Sequence, residues 1–97
     1  MKRIAFHPEA QNELTSAVAF YNAQVTGLGD ELTDEVDRAL QLVWATPGLG
    51  TPIGREHRKW PVRRFPYDLI YRADEEGLFV LAVAHQRRRP GYWRDRS

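Results

Sequence analysis

The stretch Leu78–Ala84, LFVLAVA, restricts the possible folds of this chain more than any other segment. Seven residues pass without a polar side chain. That is strand length, far short of the roughly 20 apolar residues a membrane span requires. Its valines and phenylalanine favour a pleated backbone. A strand without polar alternation is predicted to be buried on both faces, as the central strand of its sheet. The rest of the chain must supply its neighbours.

The flanking segments suggest how. Near the N-terminus, KRIAF alternates Ile4 and Phe6 with Arg3 and Ala5, a short strand. Pro8 suits a first helical turn, where its missing N–H costs nothing, and Glu9 complements the positive end of the helix dipole. Ala10, Leu14, Ala17, Val18, Tyr21 and Val25 then recur at helical spacing. The pattern predicts a helix from Pro8 to about Gln24, with Glu13 and the other polar positions facing away. TGLGD breaks it, and Leu28, Leu32, Val36, Leu40 and Val43 line a second helix that TPGLGTP ends. The short link implies an antiparallel αα-hairpin.

Beyond Pro52, KWPVRRFP sets Trp60, Val62 and Phe65 among basic residues. YDLIYRA alternates Tyr67, Leu69 and Tyr71 with Asp68, Ile70 and Arg72, and Ile70 spoils the alternation. DEEG is the expected hairpin turn into LFVLAVA. The predicted order is strand, helix, helix, then a three-stranded antiparallel meander. This is an α+β fold with the helices packed on one face of a small sheet. At 97 residues, with no repeat or linker, the chain is expected to form a single domain spanning 1–97.

Cysteine is absent, which excludes disulfides and thiolate metal sites and agrees with a reducing cytoplasm. MKRIAFHPEA lacks the apolar core of a signal peptide, so a cytoplasmic location is expected, with no membrane partner. The formal net charge of +1 conceals an asymmetry. Residues 1–50 carry three Lys/Arg against seven Asp/Glu, and residues 51–97 carry eleven against six. An acidic face and a basic face are implied, and a basic face suits an acidic partner.

Several residues on the basic half could carry chemistry. His85 leaves the apolar strand and titrates near neutrality, as a general acid or base requires. Arg64 could hold a phosphate in bidentate fashion, and Glu56 and Tyr92 could supply further proton-transfer groups. Together they would suffice for metal-free cleavage of RNA. A satisfied strand-end histidine is the plainer reading. His7, His57 and His85 are too scattered to resemble a metal-ligand set, and no cofactor fingerprint appears, so neither metal nor cofactor is expected. Arg58, Lys59, Arg63, Arg64, Arg87, Arg88 and Arg89, with Tyr92 and Trp93, have the composition of a phosphate-tracking, base-stacking surface. They equally suit an acidic protein groove.

The opening strand with HPEAQNEL, the helical hairpin, RRFPYDLIYR and the ending VLAVAHQRRRPGYW resemble, in order and over nearly the whole chain, the RelE/ParE superfamily of bacterial toxins. The ending looks more like the ParE branch, often described as plasmid-stabilisation proteins. The resemblance implies the toxin of a type II toxin–antitoxin module that acts on DNA gyrase without being an enzyme. A ParD-like antitoxin would neutralise it in a hetero-oligomeric complex. The RelE branch instead cuts mRNA on the ribosome. At its positions Arg64 and His85 match, Glu56 could serve as base, and Tyr92 stands near the C-terminal tyrosine. A third possibility is a relative that binds without being toxic. An apolar cleft between the hairpin and the sheet would accept an antitoxin segment.

Overall fold

A computed structural model describes residues 2–96. Strand β1 (Arg3–Phe6) leads into helices α1 (Pro8–Gln24) and α2 (Leu28–Ala45). A short 3₁₀ turn over Pro47–Leu49 precedes β2 (Thr51–Ile53), β3 (His57–Pro61), β4 (Tyr67–Asp74) and β5 (Gly77–His85). The α+β class and the helical hairpin are as predicted. The meander has four strands, because Thr51–Ile53, within the segment taken as a loop, pairs antiparallel with β3. The five strands lie in the order β1-β5-β4-β3-β2, so β4 is the middle strand and β5 lies between it and β1. β1 runs parallel to its neighbour β5, and the other three pairings are antiparallel among the described residues. Among the described residues no helix is long and apolar enough to cross a membrane.

His7 ends β1 and begins α1: its Nδ1 accepts from the Glu9 N–H, a cap that Pro8 then follows at the first helical position. The helices cross where α2 offers no side chain. A Cβ on Gly29 would collide with the Val18 carbonyl oxygen, and the Gly29 N–H donates to Asn22 Oδ1 at 2.7 Å. Ala10, Ala17, Leu32, Val36 and Leu40 on the helices meet Leu69, Val80 and Val83 on the sheet. The expected apolar cleft between hairpin and sheet is therefore filled by core side chains. Val25 ends α1 and lies exposed, outside the stripe it seemed to extend.

β5 is buried on both faces, and an irregularity shows how. Ile70 pairs with Ala82 but Tyr71 pairs with Val80, which leaves Leu81 as an extra residue. A bulge shifts the alternation by one. Val80 and Val83 thus face the helices, while Leu81, Ala82 and Ala84 face the opposite side together with Ile70. Ile70 interrupts its strand's polar alternation because that second side is also covered. Its cover is the C-terminal tail, whose Trp93 is only 3% exposed and packs against these residues.

At the far end, the Tyr71 hydroxyl fixes the 3₁₀ turn. It donates to the Pro47 carbonyl at 2.8 Å and accepts from the Gly50 N–H at 3.0 Å. Arg58 adds bonds to the Gly48 and Gly50 carbonyls. Tyr71→Phe leaves two of these backbone groups without their partner, and should lower the unfolding free energy by about 1–3 kcal/mol. A urea midpoint that falls at constant m-value is the expected result.

Candidate functional site

The tail after β5 begins with His85. Its Nδ1 accepts from the Arg87 N–H at 3.1 Å, and its ring stands edge-on to Tyr67 at 5.1 Å. With Nδ1 accepting, Nε2 is the N–H donor of the ring. The chain then turns through Pro90 and Gly91 and folds back, so that Tyr92 and Trp93 lie over the second face of the sheet.

A carboxylate on the opposite helix holds this tail in place. Glu13 Oε2 accepts from the Tyr92 hydroxyl at 2.6 Å. Arg96 donates to both oxygens of Glu13, at 2.8 and 3.1 Å, and to the Leu81 carbonyl at 3.0 Å. The Val83 N–H donates to Glu13 Oε1 at 3.0 Å. β1 reaches β5 only as far as Val80, whose carbonyl accepts the His7 N–H. Past that point Glu13 and Arg96 satisfy polar groups on the strand edge that a longer β1 would otherwise meet. The Arg88 guanidinium lies 3.8 Å from the Tyr92 ring centre and that of Arg96 lies 5.0 Å away. Burial, reinforced by the bond to Glu13, raises the pKa of the Tyr92 phenol. The same carboxylate raises that of the Arg96 guanidinium.

This corrects the reading of α1. Glu13 does not face away; its side chain is 16% exposed and belongs to the clasp. A signal was present, since Glu13 is three residues after Ala10 and four before Ala17, at the margin of the buried stripe. Arg96 was one cation among many in the sequence, with nothing local to single it out.

The folded tail and sheet enclose a cleft of about 210 Å³. Ile70, Ala84 and Trp93 contribute its apolar floor, and Lys59, Arg88, Arg89 and Arg94 its cations. Trp93 thus serves as floor and core; its buried ring is not a free stacking surface. Tyr92 lines the cleft with its hydroxyl committed to Glu13. Arg58 lies across the 3₁₀ turn, while Arg63 and Arg87 are exposed.

The four residues considered for RNA cleavage do not converge. Arg64, held at φ 71° in the turn before β4, donates to Glu31 on α2 at 2.9 Å. Glu56 lines a separate depression with Arg55, Arg58 and Arg72. Only His85 and Tyr92 share the basic cleft.

His57 on β3 stands edge-on to Trp93 in the tail, with ring centres 4.9 Å apart. Burial lowers its pKa below 6.5; Glu56 opposes this, while Arg72 and Arg94 add to it. As pH falls through 6.5 the unfolded chain therefore takes up this proton first. The associated stability is complete above 6.5 and is lost on acidification, until the folded imidazole also protonates. Between pH 7.5 and 5.5 the wild-type melting temperature should fall further than that of His57→Gln.

A family profile described as "ParE toxin of type II toxin-antitoxin system, parDE" matches residues 4–90. The match stops before Tyr92, Trp93 and Arg96, so the tail side of the clasp lies outside it. Toxin ParE2 from two Mycobacterium tuberculosis strains (CDC 1551 / Oshkosh and H37Rv) is 25% identical, over 92% of this chain and 86% of the relative. A solved structure titled "Chromosomal ParDE TA system from P. aeruginosa" superposes with a TM-score of 0.73 at 15% identity. It covers 88% of this chain and 96% of its own, and shows the same fold.

Proposed function

Because the chain belongs to the ParE toxin family of type II toxin–antitoxin systems, we propose that it inhibits DNA gyrase and is neutralised by a ParD-like antitoxin in a hetero-oligomeric, cytoplasmic complex. The family match carrying this reading covers both helices and all of the sheet but Arg3. The basic cleft gives it a surface. Lys59, Arg88, Arg89 and Arg94 border a concavity against which Asp68 is the one carboxylate among the lining residues. Such a surface steers acidic partners and fixes their register. An antitoxin segment rich in carboxylates would neutralise the toxin by covering the cations that reach the target. Exposed Phe20, Leu42 and Trp44 offer it apolar anchors on the helices.

The alternative, ribosome-dependent mRNA cleavage, requires Arg64, His85, Glu56 and Tyr92 around one phosphate. Here Arg64 is engaged by Glu31 and Tyr92 by Glu13, while Glu56 borders a different depression, and this favours the binding reading.

Expression without antitoxin should arrest growth, and co-expression of the antitoxin should restore it. Arg88→Ala removes one charge-assisted contact worth about 1.5 kcal/mol, so it should weaken target inhibition roughly tenfold. Arg64→Ala tests whether the basic surface extends to the β3–β4 turn. Normal growth arrest by both variants would sink the idea of a shared basic surface. Cut transcripts with unaffected supercoiling would transfer the protein to the ribosome.

A further inference from the structure

We propose that His85 is a positioning residue for the arginines of the tail: its Nδ1 lone pair holds the turn that aims Arg87, Arg88 and Arg89, and a proton on that nitrogen releases the turn. The proposal rests on the reading of this chain as a toxin whose basic surface grips its target. It gives His85 a role that needs no acid–base chemistry.

The tail leaves β5 through three successive N–H groups, and His85 satisfies two of them. The Gln86 N–H donates to the Pro66 carbonyl at 2.8 Å and the Arg88 N–H to the His85 carbonyl at 2.9 Å. Between them the Arg87 N–H donates to His85 Nδ1 at 3.1 Å. Carbonyl oxygens keep their lone pairs at every pH, so of the three acceptors only the imidazole nitrogen can be switched off. The ring is itself held, edge-on to Tyr67 with centres 5.1 Å apart. β4 thus fixes the ring, and the ring fixes the turn. His7 uses the same geometry to start α1, its Nδ1 accepting from the Glu9 N–H two residues on.

The arginines that follow depend on this turn. Among the described residues neither Arg87 nor Arg89 has a carboxylate within salt-bridge distance or an aromatic ring beneath its guanidinium. Arg88 has further supports, the Tyr92 ring centre at 3.8 Å and Glu13 at 4.0 Å. Long side chains on a loose turn spread over many directions, and a partner must order them before it can bind.

A protonated Nδ1 is a donor facing a donor, and the bond cannot survive. Imidazole ordinarily changes charge between about pH 8 and 5. On the cleft side the ring shares its surroundings with Lys59, Asp68, Arg88, Arg89 and Arg94. On the helix side it shares them with Glu9, Glu13, Tyr67 and Arg96. The three carboxylates already accept from other side chains: Asp68 from Gln86, Glu9 from Asn12, and Glu13 from Tyr92 and Arg96. Among the described residues no carboxylate lies within salt-bridge distance of His85, so in this geometry no ion pair replaces the lost bond. The turn is closed at neutral pH and opens on acidification.

Two variants separate positioning from catalysis. Asparagine can place its Oδ1 where Nδ1 stands, accepts from the N–H two residues on, and does not titrate. His85→Asn should therefore keep gyrase inhibition within about twofold of wild type, whereas His85→Ala, which loses the bond, should need roughly fivefold more toxin. A general acid or base at this position would be lost equally in both. The pH arm uses no gyrase: amide exchange of the purified full chain is followed residue by residue by NMR. The Gln86 amide is the internal reference, since its carbonyl acceptor does not titrate. Between pH 7.5 and 5.5 the protection of Arg87 relative to Gln86 should fall about threefold in wild type and stay level in His85→Asn. Equal losses of inhibition in the two variants would overturn the proposal. So would full inhibition by His85→Ala, or relative protection of Arg87 that does not change with pH in wild type. A wild-type chain that leaves gyrase untouched fails the gyrase reading alone, and the Arg87 amide then decides by itself whether the histidine holds the turn.

Discussion

Glu13→Ala should lower the unfolding free energy by about 3–5 kcal/mol, the cost of removing one partner from a largely buried ion pair. The substitution leaves the Arg96 guanidinium, the Tyr92 hydroxyl and the Val83 N–H without their shared acceptor. Arg96 is 14% exposed and cannot recover full hydration without moving the tail. For a domain whose total stability is on the order of 5–15 kcal/mol, this loss is a large fraction. Glu13→Gln keeps one oxygen, which can still accept from the Val83 N–H, but puts an NH2 donor where Oε2 accepted from Tyr92, so its cost should be smaller than that of alanine without vanishing. Guanidinium denaturation of the three proteins checks the order. Amide exchange locates the effect: protection should fall first over residues 86–96 and along the β5 edge.

Trp93→Ala should be comparably damaging, at about 3–5 kcal/mol, for a different reason. Trp93 covers Ile70, Leu81, Ala82 and Ala84, and among the described residues no helix side chain joins that cluster to take its place. Its removal opens the second face of β5 to water and takes away the floor of the basic cleft. Stability and target inhibition should therefore decline together, whereas Arg89→Glu should affect binding alone. Trp93→Phe restores much of the buried area and should recover more than half of the loss. A Trp93→Ala protein with unchanged melting temperature would mean that the tail does not cover the sheet.

Much of the fold was legible in the sequence because its signals are local. Pro8 and the spacing from Ala10 to Tyr21 marked α1, and the pair of glycines in TGLGD marked its end. The unbroken apolar run identified β5 as a strand covered on both faces. Its second cover was not legible, because Trp93 lies beyond a Pro-Gly turn and reads as part of a basic tail. β2 was missed because a three-residue edge strand containing Pro52 carries almost no alternation. The clasp was hardest to see. Glu13 and Tyr92 are separated by 79 positions, and no periodicity couples them. The basic residues were visible as a group, but their division was not. Arg58 braces a turn, Arg96 is held by the clasp, and Arg89 remains at the open cleft.

The most direct measurement is supercoiling of relaxed plasmid by purified DNA gyrase in the presence of the full chain. Wild-type protein should block supercoiling and leave cleaved DNA, addition of the antitoxin should restore the reaction, and Arg88→Ala should require roughly tenfold more toxin. Unimpaired supercoiling by folded protein, with mRNA cut on translating ribosomes, would contradict gyrase as the target.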